Sequence, residues 1–231
     1  MTRINRSALT KNEIITEATK QFLEKGYTNT SISNVAKGLG MSQGNLTFHF
    51  PTKEHLLAVL VDIYCDFQWK SMEKEANDGL SSIMAICLEL TAMASVSEED
   101  EVMKDFFISA YSSPMCLDII RRNDTKRAKD VFSVYQPDWT DEQFAQAEIL
   151  VSGIEYATLM TVGDPVSLEM RIAGALQSIL EIYGVPEEIQ KNKLQKVFAL
   201  NYNTIGKRVI VDFKKYVAEI NDQAFRAIVK R

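Results

Sequence analysis

Apolar residues recur along this chain at intervals of three, four and seven, the spacing of one face of an α-helix. Ile14, Ile15, Ala18, Phe22 and Leu23 form a first stripe, preceded by Thr10-Lys11-Asn12-Glu13, which has the sequence of a capping box. Gly26 ends that helix. Ser31 opens a second stripe of Ile32, Val35, Ala36 and Leu39, and Gly40 stops it as the residue after the C-cap. Ser42 caps a third, very short helix ending near Phe50-Pro51, and Thr52 opens a longer one carrying Leu56, Leu57, Leu60, Ile63, Tyr64 and Phe67.

Beyond Asn77-Asp78-Gly79 the pattern predicts helices over about 80–95, 98–112 (capped by Ser97), 115–136, 141–162, 165–183, 186–201 and 204–229. Thr140 to Gln143 reads as another capping box. Asp164-Pro165 reads as a cap followed by proline at the first helical position, and Gly184-Val185-Pro186 as a stop and a new start. No segment alternates with period two over the length of a strand. The expected class is therefore all-α: a three-helix head, residues 1–55, joined by the helix of residues 53–76 to a larger helical body, residues 56–231.

The net charge of −5 conceals a division. Residues 1–55 carry seven Lys/Arg against four Glu, giving +3, and the remaining residues carry 19 against 27, giving −8. A basic head on an acidic body suits a small polyanion-binding module attached to something else. Cys65, Cys87 and Cys116 belong to no C-x-x-C pair and are expected to be reduced core thiols. The N-terminus has no apolar signal region and no run reaches ~18 apolar residues, so a cytoplasmic protein without a membrane partner is expected. His49 and His55 are the only histidines, and neither H-E-x-x-H nor G-x-x-x-x-G-K-[ST] occurs. No metal, cofactor or enzymatic activity is expected.

Residues 31–53 meet the requirements of a helix-turn-helix in order. Val35, Ala36 and Leu39 face inward, and Gly40 supplies the reversal. Ser42 caps a second helix whose Leu46 and Phe50 point back to the head's core. That leaves Gln43, Asn45, Thr47, Phe48 and His49 outward, with amide and imidazole groups suited to base edges or phosphates in a major groove. Lys53, in the first turn of a helix, is unfavourable to the helix dipole, which a phosphate neighbour would offset. The segment resembles the TetR-family DNA-binding signature at Ser31, Val35-Ala36, Gly40, Ser42, Gly44, Leu46, Phe50, Lys53-Glu54 and Leu56-Leu57, with Phe22, Gly26-Tyr27 and Thr30 matching ahead of it. Thr47 stands where that family usually carries a tyrosine that touches the phosphate backbone, and it reaches less far. The resemblance spans residues ~10–60. It implies a DNA-binding surface of Ser42, Gln43, Gly44, Asn45, Thr47, Phe48, His49 and Lys53 on double-stranded operator DNA. It also implies a homodimeric all-α body with an internal pocket, and an unidentified small-molecule effector whose occupancy alters the spacing of two heads.

In the body, the stripes of residues 141–162 (Phe144, Ala147, Leu150, Val151, Ile154) and 165–183 (Leu168, Ile172, Leu176, Ile179, Leu180) are apolar around more of the circumference than one buried face needs. As an antiparallel pair they would form half of an intersubunit four-helix bundle. Methionines and aromatics on the middle helices suit an apolar or amphipathic ligand, with Phe107, Tyr111 and Met115 chosen as its wall. Arg121-Arg122 and Lys126-Arg127 around Asp124 read as a solvated charged face. Residues 186–231 form a basic amphipathic extension that would cap the pocket or widen the dimer interface. The expected function is a repressor released from a palindromic operator by its effector. The alternative is a helical regulator acting through protein partners with weakened DNA reading.

Overall fold

The computed structural model describes residues 6–76, 82–161 and 165–220. These form eleven α-helices, with no strand among the described residues. The head comprises α1 (Arg6–Lys25), α2 (Ile32–Gly38) and α3 (Gln43–His49), and α4 (Lys53–Ala76) runs from the head into the body. The body continues with α5 (Ser82–Glu99), α6 (Glu101–Ser112), α7 (Pro114–Phe132), α8 (Asp141–Met160), α9 (Leu168–Ile182), α10 (Glu187–Phe198) and α11 (Tyr202–Glu219). The expected all-α class holds. The turn at Gly163-Asp164, the Asn77-Asp78-Gly79 stop and the chain beyond residue 220, with Arg226, Lys230 and Arg231, lie outside the described residues.

Most helix boundaries obey the local signals. The side chains of Ser31, Ser42 and Thr140 accept from backbone N–H groups three residues on, and Thr140 and Gln143 complete a reciprocal box. Gly40 (φ +64°) and Gly184 (φ +67°) close their helices with paired bonds: Gly40 N to Lys37 O with Met41 N to Ala36 O, and Gly184 N to Glu181 O with Val185 N to Leu180 O. Only a residue tolerant of the left-handed region closes a helix in this way.

Three expected starts are corrected. Thr10 lies within α1, because Arg6, Ser7, Ala8 and Leu9 contain nothing that breaks a helix. Ser97 is buried inside α5 and returns its hydroxyl to Met93 O (2.9 Å), while the next helix is capped by Asp100, whose carboxylate accepts from Val102 N and Met103 N. Before α9 the cap is Ser167, so Pro165 precedes the helix and does not occupy its first position.

The core is continuous from head to body, running from Ile14 and Phe22 through Leu56, Leu60 and Tyr64 to Phe132, Ile179 and Phe213. At its centre lies α5, which packs against α4, α6, α8, α9, α10 and α11 and is buried nearly all round. Its Thr91 satisfies its own hydroxyl on Cys87 O, four residues back (2.7 Å), as a polar group in such a helix must. The three cysteines are buried and free.

Among the described residues, the C-terminal extension contributes no wall to the cavity at the centre of the body. Gly206 lets α11 lie close on α5, where an added Cβ would come within 2.7 Å of Val96 Cγ2 and 2.9 Å of Ala92 O. Phe213 packs edge-on against Tyr64 (4.9 Å between ring centres), and Lys214 Nζ donates to Leu23 O at the end of α1 (3.1 Å). Asn12 Nδ2 donates to Ile220 O (2.8 Å). The extension therefore braces α1 against the body.

Candidate nucleic-acid interface and internal cavity

The head's outward surface at α3 is built by burying one side of a seven-residue helix. Val35, Ala36, Leu46 and Phe50 are buried, which fixes the rotation of α3 and turns its other side to solvent. Gln43, Gly44, Asn45 and Phe48 are exposed and Thr47 and His49 half-buried. The side-chain amides of Gln43 and Asn45 make no hydrogen bond among the described residues, leaving donors and acceptors free. Phe48 is 83% exposed, with its ring edge-on to His49 (5.3 Å). Thr47 donates to Gly44 O (3.1 Å), so the shorter residue at that position is tied to its own helix.

Lys53 has partners that the sequence did not reveal. Its ammonium donates to Tyr27 O (2.9 Å) and lies 4.0 Å from the Tyr27 ring centre. Burial lowers its pKa, and the Asp105 carboxylate opposes that effect. These contacts, and not a phosphate alone, offset its place at the α4 N-terminus. Two of its three N–H donors remain available.

Between α4, α5, α6, α7, α8 and α9 the body holds a cavity of about 40 Å³. A second space of about 30 Å³ adjoins it, the two sharing Glu89, Met93, Tyr111 and Asp124 as walls. The larger is lined by Trp69, Phe132 and Tyr183 together with Glu89, Asp124, Arg127, Glu148 and Glu155. The smaller is mainly apolar, with Val61, Phe106, Phe107, Ala110 and Ile120. Of the expected wall residues, Tyr111 borders both spaces and Phe107 the smaller. Met115 borders neither and is 36% exposed, because Pro114, capped by Ser113, starts α7 with that side chain outward.

The charged lining corrects the reading of α7 as a solvated face. Arg127 donates to Asp124 Oδ1 (3.0 Å) and to Cys65 O, lies 3.7 Å from Glu89 Oε1, and stacks over Trp69 (5.2 Å). Tyr111 OH donates to Glu155 Oε2 (2.9 Å), and Tyr183 OH to Glu148 Oε1. Burial pushes the Glu148 carboxyl up to about 8, and Glu89 to about 7 against the lowering influence of Arg127. Burial likewise raises Asp124 and Glu155. A positional signal existed. Asp124 and Arg127 fall on the α7 stripe of Cys116, Ile120, Ala128 and Phe132, and Glu148 and Glu155 on the α8 stripe of Phe144 and Val151.

Residues 14–60 match the family described as bacterial regulatory proteins, tetR family. The match covers the head and the start of α4, and the chain resembles that family there. The HTH-type transcriptional regulator YuxN of Bacillus subtilis (strain 168), itself uncharacterised, is 42% identical over 53 residues, 23% of this chain and 18% of that protein. The chain thus matches less than a fifth of that relative's length. Beyond the head the likeness is one of fold. RolR in complex with resorcinol superposes with a TM-score of 0.66 at 18% identity, over 83% of this chain and 96% of that one. RolR without ligand gives 0.59 at 18% identity, over 79% and 95%.

The head is joined to the cavity through α6. Asp105 accepts from Thr28 N (2.8 Å) and Thr28 Oγ1 in the α1–α2 loop, and Glu54 accepts from Ser113 Oγ at the far end of α6 (2.5 Å). Tyr111 stands six residues from Asp105, roughly 9 Å along the helix. Should a ligand in the cavity shift operator affinity by the usual amount of about 5–150-fold, Asp105→Ala is expected to leave the affinity of the free protein within a few fold while cutting that shift towards unity. Paired operator titrations, with and without a bound ligand, measure this, and an undiminished ligand effect would refute the linkage.

The α8–α9 pair also carries an apolar outer face. Ile149, Leu150, Gly153, Ala157 and Met160 on α8, and Met170 and Gly174 on α9, are exposed. Leu150 is 58% exposed. Leu176, by contrast, is fully buried in the protomer core. Among the described residues no helix is long and apolar enough to cross a membrane.

Proposed function

We propose that this protein is a homodimeric transcriptional regulator that represses from a palindromic operator and is released when a small molecule fills the α4–α9 cavity. The observation that carries the reading is α3: a Ser42-capped helix anchored by Leu46 and Phe50, with unpaired Gln43 and Asn45 amides at its exposed start. An amide side chain can bond an adenine edge bidentately, and exposed Phe48 can meet a thymine methyl. Two copies related by a twofold axis through the α8–α9 face would present two such helices to half-sites about 34–36 Å, or a multiple, apart.

Release follows from α6. A ligand against Phe107 and Tyr111 must prefer the body conformation that misplaces the heads, since only differential affinity moves an equilibrium. Asp105, on the same helix, transmits that shift to the α1–α2 loop. RolR, the fold neighbour with resorcinol bound, supports a ligand in a body of this architecture.

Fluorescence anisotropy on the DNA upstream of the protein's own gene tests the reading. Gln43→Ala or Asn45→Ala is expected to lose about 1–3 kcal/mol of discrimination between operator and random duplex. Lys53→Ala is expected to weaken binding to both alike and to flatten the salt dependence. Equal losses on operator and random DNA for Asn45→Ala would refute the base-reading role. A wild-type protein without sequence preference would instead favour regulation through protein partners.

A further inference from the structure

The cavity's polar groups do not balance. Four carboxylates, Glu89, Asp124, Glu148 and Glu155, face the larger space, against one guanidinium, Arg127. Glu148 and Glu155 each receive a single phenolic hydrogen bond, whereas an ionised carboxylate offers about four acceptor positions. Buried charge is costly unless paired, and a protein can meet that cost by holding protons or by admitting a cation.

Two independent observations narrow the occupant. Gln68 is 2% exposed and borders the smaller space, and its Nε2 has no hydrogen-bond partner. An unmet donor on the wall of the smaller space suits an acceptor or a π face on a ligand. The walls also change character. Aromatic faces of Trp69, Phe132 and Tyr183 stand beside the carboxylates, while Val61, Phe106, Phe107 and Ile120 line the other end. Among the described residues no group of His, Cys, Asp and Glu has a metal-holding arrangement. An inorganic cation is therefore a poor match.

We infer that the effector is an amphipathic organic cation. Its ammonium or amidinium group lies among Glu89, Asp124, Glu148 and Glu155, and its apolar part lies in the Phe106–Phe107 space beneath Gln68. Carboxylates give charge-assisted bonds to such a head, and the aromatic walls add attraction to the same positive charge. The inference rests on the proposed sensor reading for its biological meaning, but ligand class can be measured without DNA.

Three probes on one skeleton make the test: 4-phenylbutylamine, 4-phenylbutanol and 4-phenylbutanoate, titrated calorimetrically into the full chain. The amine is expected to bind at least about 10-fold more tightly than the alcohol, and the acid more weakly than either. Glu155→Gln and Glu148→Gln, each made separately in case one fails to fold, are expected to remove about 10-fold from the amine's affinity and to leave the alcohol's unchanged. Equal or tighter binding of the alcohol, preference for the acid, no binding of the amine at millimolar concentration, or parallel losses for amine and alcohol in the variants would each overturn the inference. Adding operator DNA separates the two readings. Selective amine binding that leaves operator affinity unchanged would keep the cation site and reject the sensor function.

Discussion

Leu150→Glu is expected to turn a dimer into a monomer and to weaken operator binding by about 10²–10⁴-fold. Leu150 sits mid-way along α8 among Ile149, Gly153 and Ala157, on a face left exposed by the protomer's own packing. Small residues at Gly153 and Gly174 leave open space above the helices, which allows two α8–α9 pairs to approach closely. In a twofold interface each residue near the axis approaches its own copy, so one substitution brings two carboxylates together in an apolar seam. The head would remain folded, because Val35, Leu46 and Phe50 make no use of α8. The loss would fall on the linkage of two half-site contacts and not on either contact alone. Light scattering and operator titration on the same sample check both parts. A wild-type monomer at micromolar concentration, or a dimer that survives the substitution, would reject the α8–α9 interface. Leu176→Glu provides the contrast: that side chain is fully buried, so its replacement should unfold the body outright.

Arg127→Met is expected to cost about 3–5 kcal/mol of stability at pH 8, and less near pH 6. Arg127 is the cation shared by Asp124 and Glu89, and its removal leaves buried carboxylates unpaired. The pH dependence follows from their protons. Burial holds the Glu148 carboxyl at about 8 and Glu89 at about 7 in the folded protein, well above an unfolded glutamate. Between the unfolded and folded values the native state binds more protons, so the slope of stability with pH is negative. The wild-type protein should therefore be most stable near pH 5, lose stability as pH rises through 7 and 8, and level off above. In the variant the carboxylates lose an opposing positive charge and hold their protons more firmly, which limits the damage at low pH. Thermal melts of both proteins at pH 5.5, 7 and 8.5 measure this. A deficit larger at pH 5.5 than at 8.5, or a wild-type midpoint that climbs across the range, would contradict the account of the cluster. A bound organic cation should reverse part of the wild-type loss at pH 8, because it supplies the charge that Arg127 provides only once.

The head was legible because its determinants are local. Ser42 caps, Gly40 takes positive φ, and Leu46 with Phe50 repeats at helical spacing, so the outward set of Gln43, Asn45, Thr47, Phe48 and His49 follows without knowledge of any distant residue. Lys53 marks where that reasoning stops: its place at a helix start was visible, but the carbonyl and ring that receive it belong to Tyr27, 26 residues away. The same divide runs through the body. Helix periodicity identified α8 and α9 as apolar on too many sides. Only packing against α5 and α7 separated the buried Ile172, Leu176 and Ile179 from the exposed Ile149, Leu150 and Met170. Met115 and Phe107 have similar size and hydropathy, yet the Ser113–Pro114 start of α7 turns one outward while α6 turns the other into the cavity. Asp124, Arg127, Glu148 and Glu155 lie on apolar stripes, and the phase of each is written in its own helix. Whether a charge at that phase reaches water, a partner or an enclosed space depends on which helices come together around it. That assembly minimises exposed apolar area over the whole chain, and no window of sequence contains it.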